Sequence, residues 1–368
     1  MMEANFEYVF PTIRGVQAGA EHYVSMCPLR LIPRMFLFNE IEMVPELRAQ
    51  RQLNRARLPE IARYITDNAA DYVFSAITAS VDGSVRFQAI GSGEKESRMG
   101  TLHIPMDARL IINDGQHRRA AIDMALQERP ELGDESIAVV LFVDKGLKRS
   151  QQMFADLNKY AIRPSRSLGI LYDHRDDRAE LARLIVTRSP LFGAVVEMEK
   201  SNLAKRSRRL ITLSAIYTAK SALLSGTELK AGDDRADRAI EYWTAVAEQF
   251  KEWALVQQND LKASEVRQDY IHSHGVVLHA LGRVGCSLFK HAPKDWRKRL
   301  RCLKSIDWRR ANKKLWEGRA MVGGTVSKRQ LHVTLTTNAI KAALALPLTE
   351  EEQATEAEFT GNANAKKA

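Results

Sequence analysis

The sequence predicts an α+β protein: a mixed sheet with helices over residues 1–146, a helical domain over 147–348 and a disordered tail over 349–368. Three observations carry that expectation. Alternating apolar runs and hairpin signals crowd the first third of the chain. Beyond Leu147 only helical periodicity remains. The length of 368 residues exceeds what one ordinary core organises, so two domains are expected.

Residues 6–13 and 21–26 alternate like strands around Gly15 and Gly19 and predict an opening hairpin. After Pro33 the pattern turns helical, and Pro59 suits the first turn of a helix through Ile61, Ala62, Tyr64 and Ile65. Ser75–Val81 and Ser84–Ile90 predict two strands joined as a hairpin by Asp82-Gly83. Gly91–Gly100 is a polar loop. Thr101–Ile104, Leu110–Asn113 and Ile137–Val143 predict strands, and the last two flank a helix over His117–Glu128 in the manner of a βαβ unit. Further helices are expected at 150–160 with Met153, Phe154 and Leu157 inward, and around 174–189, 208–224, 234–256, 265–290, 294–303 and 327–345. From Thr349 the chain is acidic, then small and polar, hence the expected disorder.

Composition excludes some classes. A hydrophobic fraction of 45% is ordinary, and no apolar run reaches bilayer length. Met1–Phe10 lacks the basic and apolar segments of a signal peptide, so a cytoplasmic protein is expected. Cys27, Cys286 and Cys302 lack metal-site spacing. Cys27, ahead of Pro28 in an expected loop, is a candidate redox-sensitive thiol. His272, His274 and His279 are expected on one helix, but His272 and His274, two apart, do not share a face, so no metal is expected.

The net charge is +10, and its distribution is more telling. Lys290–Gln330 holds 14 Lys/Arg against three acids, and the rest of the chain is within one charge of neutral. A localised contact with a polyanion follows. Within this block Arg297, Arg299, Arg301, Arg309, Arg310 and Lys313 are interleaved with Trp and Leu, an arrangement that anchors helices while cations meet phosphates. A second run contains Arg206, Arg208 and Arg209. Arg48, Arg51 and Arg55 fall at i, i+3 and i+7, one face of a helix.

The densest chemistry lies in Asp114-Gly115-Gln116-His117-Arg118-Arg119, at an expected strand-to-helix corner. Glycine permits the tight turn, and the helix start favours an anion. Asp114 can cap the helix or hold a metal-bound water, Gln116 can orient a water, and His117 can act as acid, base or donor. Arg118 can grip a phosphate with two N–H groups, and Arg119 adds charge. Gly323-Gly324 reads as an anion contact or as the end of one helix and the start of the next.

Asp114-Gly115-Gln116-His117-Arg118 matches the signature of DGQHR-domain proteins, whose fold is related to ParB and sulfiredoxin. The likeness extends to Phe6-Glu7-Tyr8-Val9-Phe10-Pro11-Thr12-Ile13-Arg14-Gly15, Arg51–Tyr64, Phe154-Ala155-Asp156-Leu157-Asn158-Lys159 and Trp308–Val326, so the chain resembles the DndB family of DNA phosphorothioation regulators over nearly its full length. The resemblance implies a DNA-binding transcriptional repressor of the sulfur-modification genes that limits modification. Its partner would be double-stranded promoter DNA, with contacts to modification-complex proteins. It would be a bacterial cytoplasmic, nucleoid-associated protein with no membrane partner. Repressors are commonly symmetric dimers, so a homo-oligomer is expected. Some related folds bind or hydrolyse nucleoside triphosphates, which implies a nucleotide-sensing site with Mg at the corner, because no GxxxxGKS/T loop is present. Asn158 and Lys159 are second candidates for that site. The alternative reading is an NTP-hydrolysing or phosphodiester-cleaving enzyme centred on Asp114–Arg119.

Overall fold

A computed structural model describes residues 6–36, 53–143, 152–153, 155–157, 159, 164–225 and 234–365. The chain divides into two compact units, Met1–Ile162 and Arg163–Ala368, a boundary later than the expected 146/147.

The first unit is built on a seven-stranded sheet. β1 (Glu7–Gln17) and β2 (Ala20–Pro28) form the expected hairpin, turning through Ala18 and Gly19 at φ 51° and 75°. Two successive positive φ values match the twist of the strands they join. β3 (Ile77–Asp82), β4 (Arg86–Ala89), β5 (Met99–Pro105), β6 (Arg109–Asp114) and β7 (Ser136–Val143) complete the order β4-β5-β1-β2-β7-β3-β6.

That order corrects two expectations. β3 and β4 do not pair: β4 lies at one edge beside β5, and β3 is held between β7 and β6 near the other. Burial separates them. Ile77, Ala79 and Val81 are fully buried, whereas no residue of β4 is. Each fully buried Ile or Val stabilises the fold by about 1.5–3 kcal/mol, which outweighs the local preference of Asp82-Gly83 for a tight turn. The strand–helix–strand segment is likewise no βαβ unit. β3 runs parallel to β7 and antiparallel to β6, so β6 and β7 run oppositely with β3 between them.

Helices α1 (Ile32–Met35), α2 (Leu58–Asp67), with a proline in its first turn, and α3 (Gln116–Glu128) belong to this unit. α2 packs on α3, and Ile65, Ala121 and Ile122 join Ile104, Ile112, Val139 and Leu141 in one core. Arg55–Arg57 is a single exposed 3₁₀ turn, and Arg48, Arg51, Phe154 and Asn158 lie outside the described residues. Leu157, expected inward, is exposed.

The second unit is helical as expected, with two small two-stranded sheets, Val196–Glu197 with Ile211–Thr212 and Met321–Val322 with Thr325–Val326. Its core gathers Phe192, Tyr242, Trp243, Phe250, Trp253 and Trp316. The helices Leu213–Leu223 and Gly275–His291 cross at Gly282, where a Cβ would collide with the Ala219 carbonyl oxygen. Glycine there permits the close approach. The single helix expected over 265–290 is two, Ala263–Asp269 and Gly275–His291.

The tail is a correction. Glu350–Ala365 is a helix, begun by a capping box in which Thr349 Oγ1 accepts the Glu352 N–H and Glu352 Oε2 accepts the Thr349 N–H at 2.9 Å. Lys341 Nζ pairs with Glu352 Oε2 at 2.6 Å with both side chains buried, and Arg319 pairs with Glu356. These contacts tie the helix to Gln330–Ala343 and to the segment before it.

Candidate functional site

The motif of the first unit sits where β6 turns into α3. Gly115 makes the turn at φ 110°, and a Cβ there would meet Ile77 Cγ1 at 3.0 Å and Arg118 Nη2 at 3.1 Å. Conformation and space both reserve the position for glycine. Gly115 is also the N-cap residue, so Asp114 does not cap α3. Its carboxylate instead accepts from Arg118 Nη2 at 2.7 Å, and the same Nη2 donates to the Ala76 carbonyl at 3.0 Å. Arg119 is more deeply engaged. Nε donates to the Phe36 carbonyl, Nη2 to the Pro33 carbonyl and Nη1 to Asp123, so one guanidinium ties α3 to α1.

Gln116 is buried. His117 Nε2 accepts the Asn54 N–H at 3.0 Å, fastening the chain ahead of α2. Behind the turn Asn113, fully buried, donates to Ser80 Oγ at 2.7 Å and to Met153 Sδ. Two buried polar atoms here, Asn113 Oδ1 and Arg118 Nε, have no hydrogen-bond partner among the described residues. Lys159 is exposed in a helical stretch of this unit.

In the second unit the basic residues fall into two groups. Arg299 Nη1 donates to the Ala345 carbonyl at 2.7 Å, Arg310 Nη2 to the Gly324 carbonyl at 2.6 Å, and Arg209 Nη1 to the Ala194 carbonyl. Arg297 pairs with Glu241 and stacks on Trp296, and Arg309 holds Asp307 through two bonds at 2.9 Å, which pulls the Asp307 carboxyl below its ordinary range. Lys298, Arg301, Lys304, Lys313 and Lys314, by contrast, are exposed along Trp296–Leu300, Arg301–Ser305 and Lys313–Trp316. Arg206 and Arg208 are exposed as well. Buried Trp296, Leu300, Leu303 and Trp316 anchor the block while these cations face outward.

Gly323 and Gly324 do bind an anion, one that belongs to the chain: their N–H groups donate to the two Glu317 carboxylate oxygens across the 321–326 hairpin. The expected helix junction is therefore a β-turn, with φ 57° and 73°.

Cys27 lies in β2 rather than in a loop, fully buried, and burial pushes its thiol up to about 12. A thiol held protonated lacks the thiolate that redox reactivity requires. The three histidines are not on one helix either. His272 precedes Gly275–His291, His274 is its N-cap residue, and only His279 is within it. Trp253 Nε1 donates to His272 Nδ1 at 2.9 Å, and burial lowers the His272 pKa although Glu252, 3.5 Å from Nε2, opposes that. Among the described residues no group of His, Cys, Asp and Glu is arranged to hold a metal.

A cavity of 590 Å³ in the second unit gathers residues no sequence run connects: Lys205, Arg267, Ser273, His274, Arg310 and Lys328 are among its walls. Of these the sequence singled out Arg310, Lys205 as the start of the second basic run, and His274 as a weighed metal ligand, and it connected none of them to the others. Their separation along the chain leaves no local signal.

A family model, DndB, described as DNA-sulfur modification-associated, matches residues 10–347, a span that takes in both units. No curated protein and no solved structure matches the chain.

Proposed function

The chain belongs to the DndB family of proteins associated with DNA sulfur modification, and from that premise we propose that it is a DNA-binding repressor of the modification genes that limits modification. The observation that carries the reading is the segregation of charge. The excess cations are confined to Lys290–Gln330, and Lys298, Arg301, Lys304, Lys313 and Lys314 stand exposed with their apolar neighbours buried beneath them. Counterions released from DNA favour binding to such a face, which makes it suited to phosphates. Arg206 and Arg208 are further candidates for the same work. With promoter DNA as its partner, the protein acts in the cytoplasm at the nucleoid, as a homo-oligomer matched to a two-fold operator.

The test is a mobility shift with DNA from upstream of its own gene against random DNA, over a range of salt. Replacing Lys298, Arg301, Lys304, Lys313 and Lys314 by Glu should flatten the salt dependence, by about 0.9 in log–log slope for each phosphate no longer neutralised. Equal affinity for random and upstream DNA overturns the repressor reading, and an unchanged slope removes this face from it.

The β6–α3 corner enters as a nucleotide-sensing site, favoured by the two unpartnered buried atoms, Asn113 Oδ1 and Arg118 Nε, beside the half-exposed Asp114. Calorimetry with ATP, GTP and CTP in the presence of Mg tests it, and no heat with any of them ends it.

A further inference from the structure

The 590 Å³ cavity of the second unit is used by none of the foregoing. It opens at the start of the 17-residue helix Gly275–His291, where His274 makes no side-chain cap. That end of a helix presents unpaired amides and the positive pole of its dipole. Thr212, which caps the helix Leu213–Leu223, forms another part of the wall, so two helices begin at the cavity.

Four cations line the same space, Lys205, Arg267, Arg310 and Lys328, and among the described residues no aspartate or glutamate does. Arg267 donates to the carbonyls of Ala204, Lys205, Ser207 and Arg209, which folds the 204–209 loop against the cavity. Arg310 donates to the carbonyls of Gln268 and Gly324. Carbonyls orient these guanidinium groups without neutralising them. Lys328 stands over the helix start: a Cβ on Gly275 would lie 2.9 Å from its Cε and Nζ.

One observation independent of the helix ends points to a ligand. Ser273 lines the cavity, is 4% exposed, and its Oγ has no hydrogen-bond partner among the described residues. His274, whose Nε2 faces the Arg267 carbonyl at 2.8 Å, is pushed down to about 4 by burial, with Arg310 and Lys328 acting in the same direction. The imidazole is thus neutral near pH 7, chiefly because it is buried. Cations without an acid among them, a free hydroxyl and open helix amides together fit an oxyanion.

We propose that this cavity binds a phosphate monoester, the terminal phosphate of a small molecule such as a mononucleotide, between Ser273, the Gly275 helix start, Lys205, Arg310 and Lys328. Its volume lies within the ~300–1,000 Å³ of small-ligand sites. The proposal is independent of the DNA contact assigned to Lys298, Arg301, Lys304, Lys313 and Lys314 and of the corner around Asp114.

Titration calorimetry of the full chain with inorganic phosphate, AMP and adenosine is the test. AMP and phosphate should bind and adenosine should not. Lys328→Glu and, as the milder change, Ser273→Ala should each weaken AMP at least tenfold, while the upstream-DNA shift persists. A short 5′-phosphorylated oligonucleotide against its 5′-hydroxyl form distinguishes a nucleic-acid end from a metabolite as the source of the phosphate. Binding of neither AMP nor phosphate, binding undiminished in Lys328→Glu, or equal binding of adenosine overturns the proposal. Circular dichroism of each variant separates a binding defect from a folding defect. Failure of duplex binding alone would strike the repressor reading and leave this one standing.

Discussion

Arg118 and Arg119 at the β6–α3 corner carry the same charge as Lys298, Arg301 and Lys304 in the basic block, and the two regions employ it differently. The corner arginines donate to Ala76, Pro33 and Phe36 carbonyls and to Asp114 and Asp123, so their cationic faces are turned into the chain. The block's exposed cations rest on buried Trp296, Leu300 and Leu303 and leave their charge in water. A guanidinium that satisfies buried carbonyls is a structural brace, whereas a solvated cation is available to a partner. The same division runs inside the block: Arg299 holds the Leu344 and Ala345 carbonyls, while Arg301 and Lys313 face solvent.

If that division is right, substitutions should order themselves by how much of the charge is engaged internally. The largest loss of stability is expected from Lys341→Met, which leaves Glu352 buried without its ammonium partner and should cost about 3–5 kcal/mol in denaturant unfolding. Adding Glu352→Gln should restore part of it. Burial alone would raise the Glu352 pKa, but Lys341, the Thr349 N–H and Arg283 outweigh it and hold the carboxyl below its ordinary 4.5. A depressed folded pKa means the pair's contribution is present above about pH 4.5 and is lost as the pH falls below it. An unfolding midpoint that is flat from pH 5 to 3 would contradict the pairing.

Next comes Arg119→Met, which strands the Phe36 and Pro33 carbonyls and should cost about 2–3 kcal/mol. A cost under about 0.5 kcal/mol would mean the arginine is not a brace. The smallest change is expected from reversing Lys298, Arg301 and Lys304 together, within about 1 kcal/mol of the parent. A larger cost would show that these cations are engaged in the fold and would merge the two regions into one class.

Much of this was legible in the sequence. Helix and strand positions follow local periodicity, and Gly19, Pro59 and Gly115 mark turns and helix starts through their own backbone preferences. Partner choice was not legible. Asp82-Gly83 announces a turn but not that β3 will leave it to join β7 and β6. Strand pairing is decided by burial across the whole sheet. The terminal helix was within reach: Thr349-Glu350-Glu351-Glu352 is a capping box in plain sequence, and the acidic composition around it obscured the signal. The cavity at Ser273 was beyond reach, because Lys205, Arg267, Arg310 and Lys328 meet only after the helices have packed.

The seat of β3 between β7 and β6 also sets a timetable. β3 is complete at Asp82, but its neighbours begin at Arg109 and Ser136. At synthesis rates of about 5–20 residues per second, the chain between Asp82 and Val143 takes roughly 3–12 s to appear. Throughout that interval a strand whose apolar side chains end fully buried has both edges open to pairing with another chain. The sheet closes late around β3, and a nascent chain halted before Val143 exposes the strand that a finished one conceals.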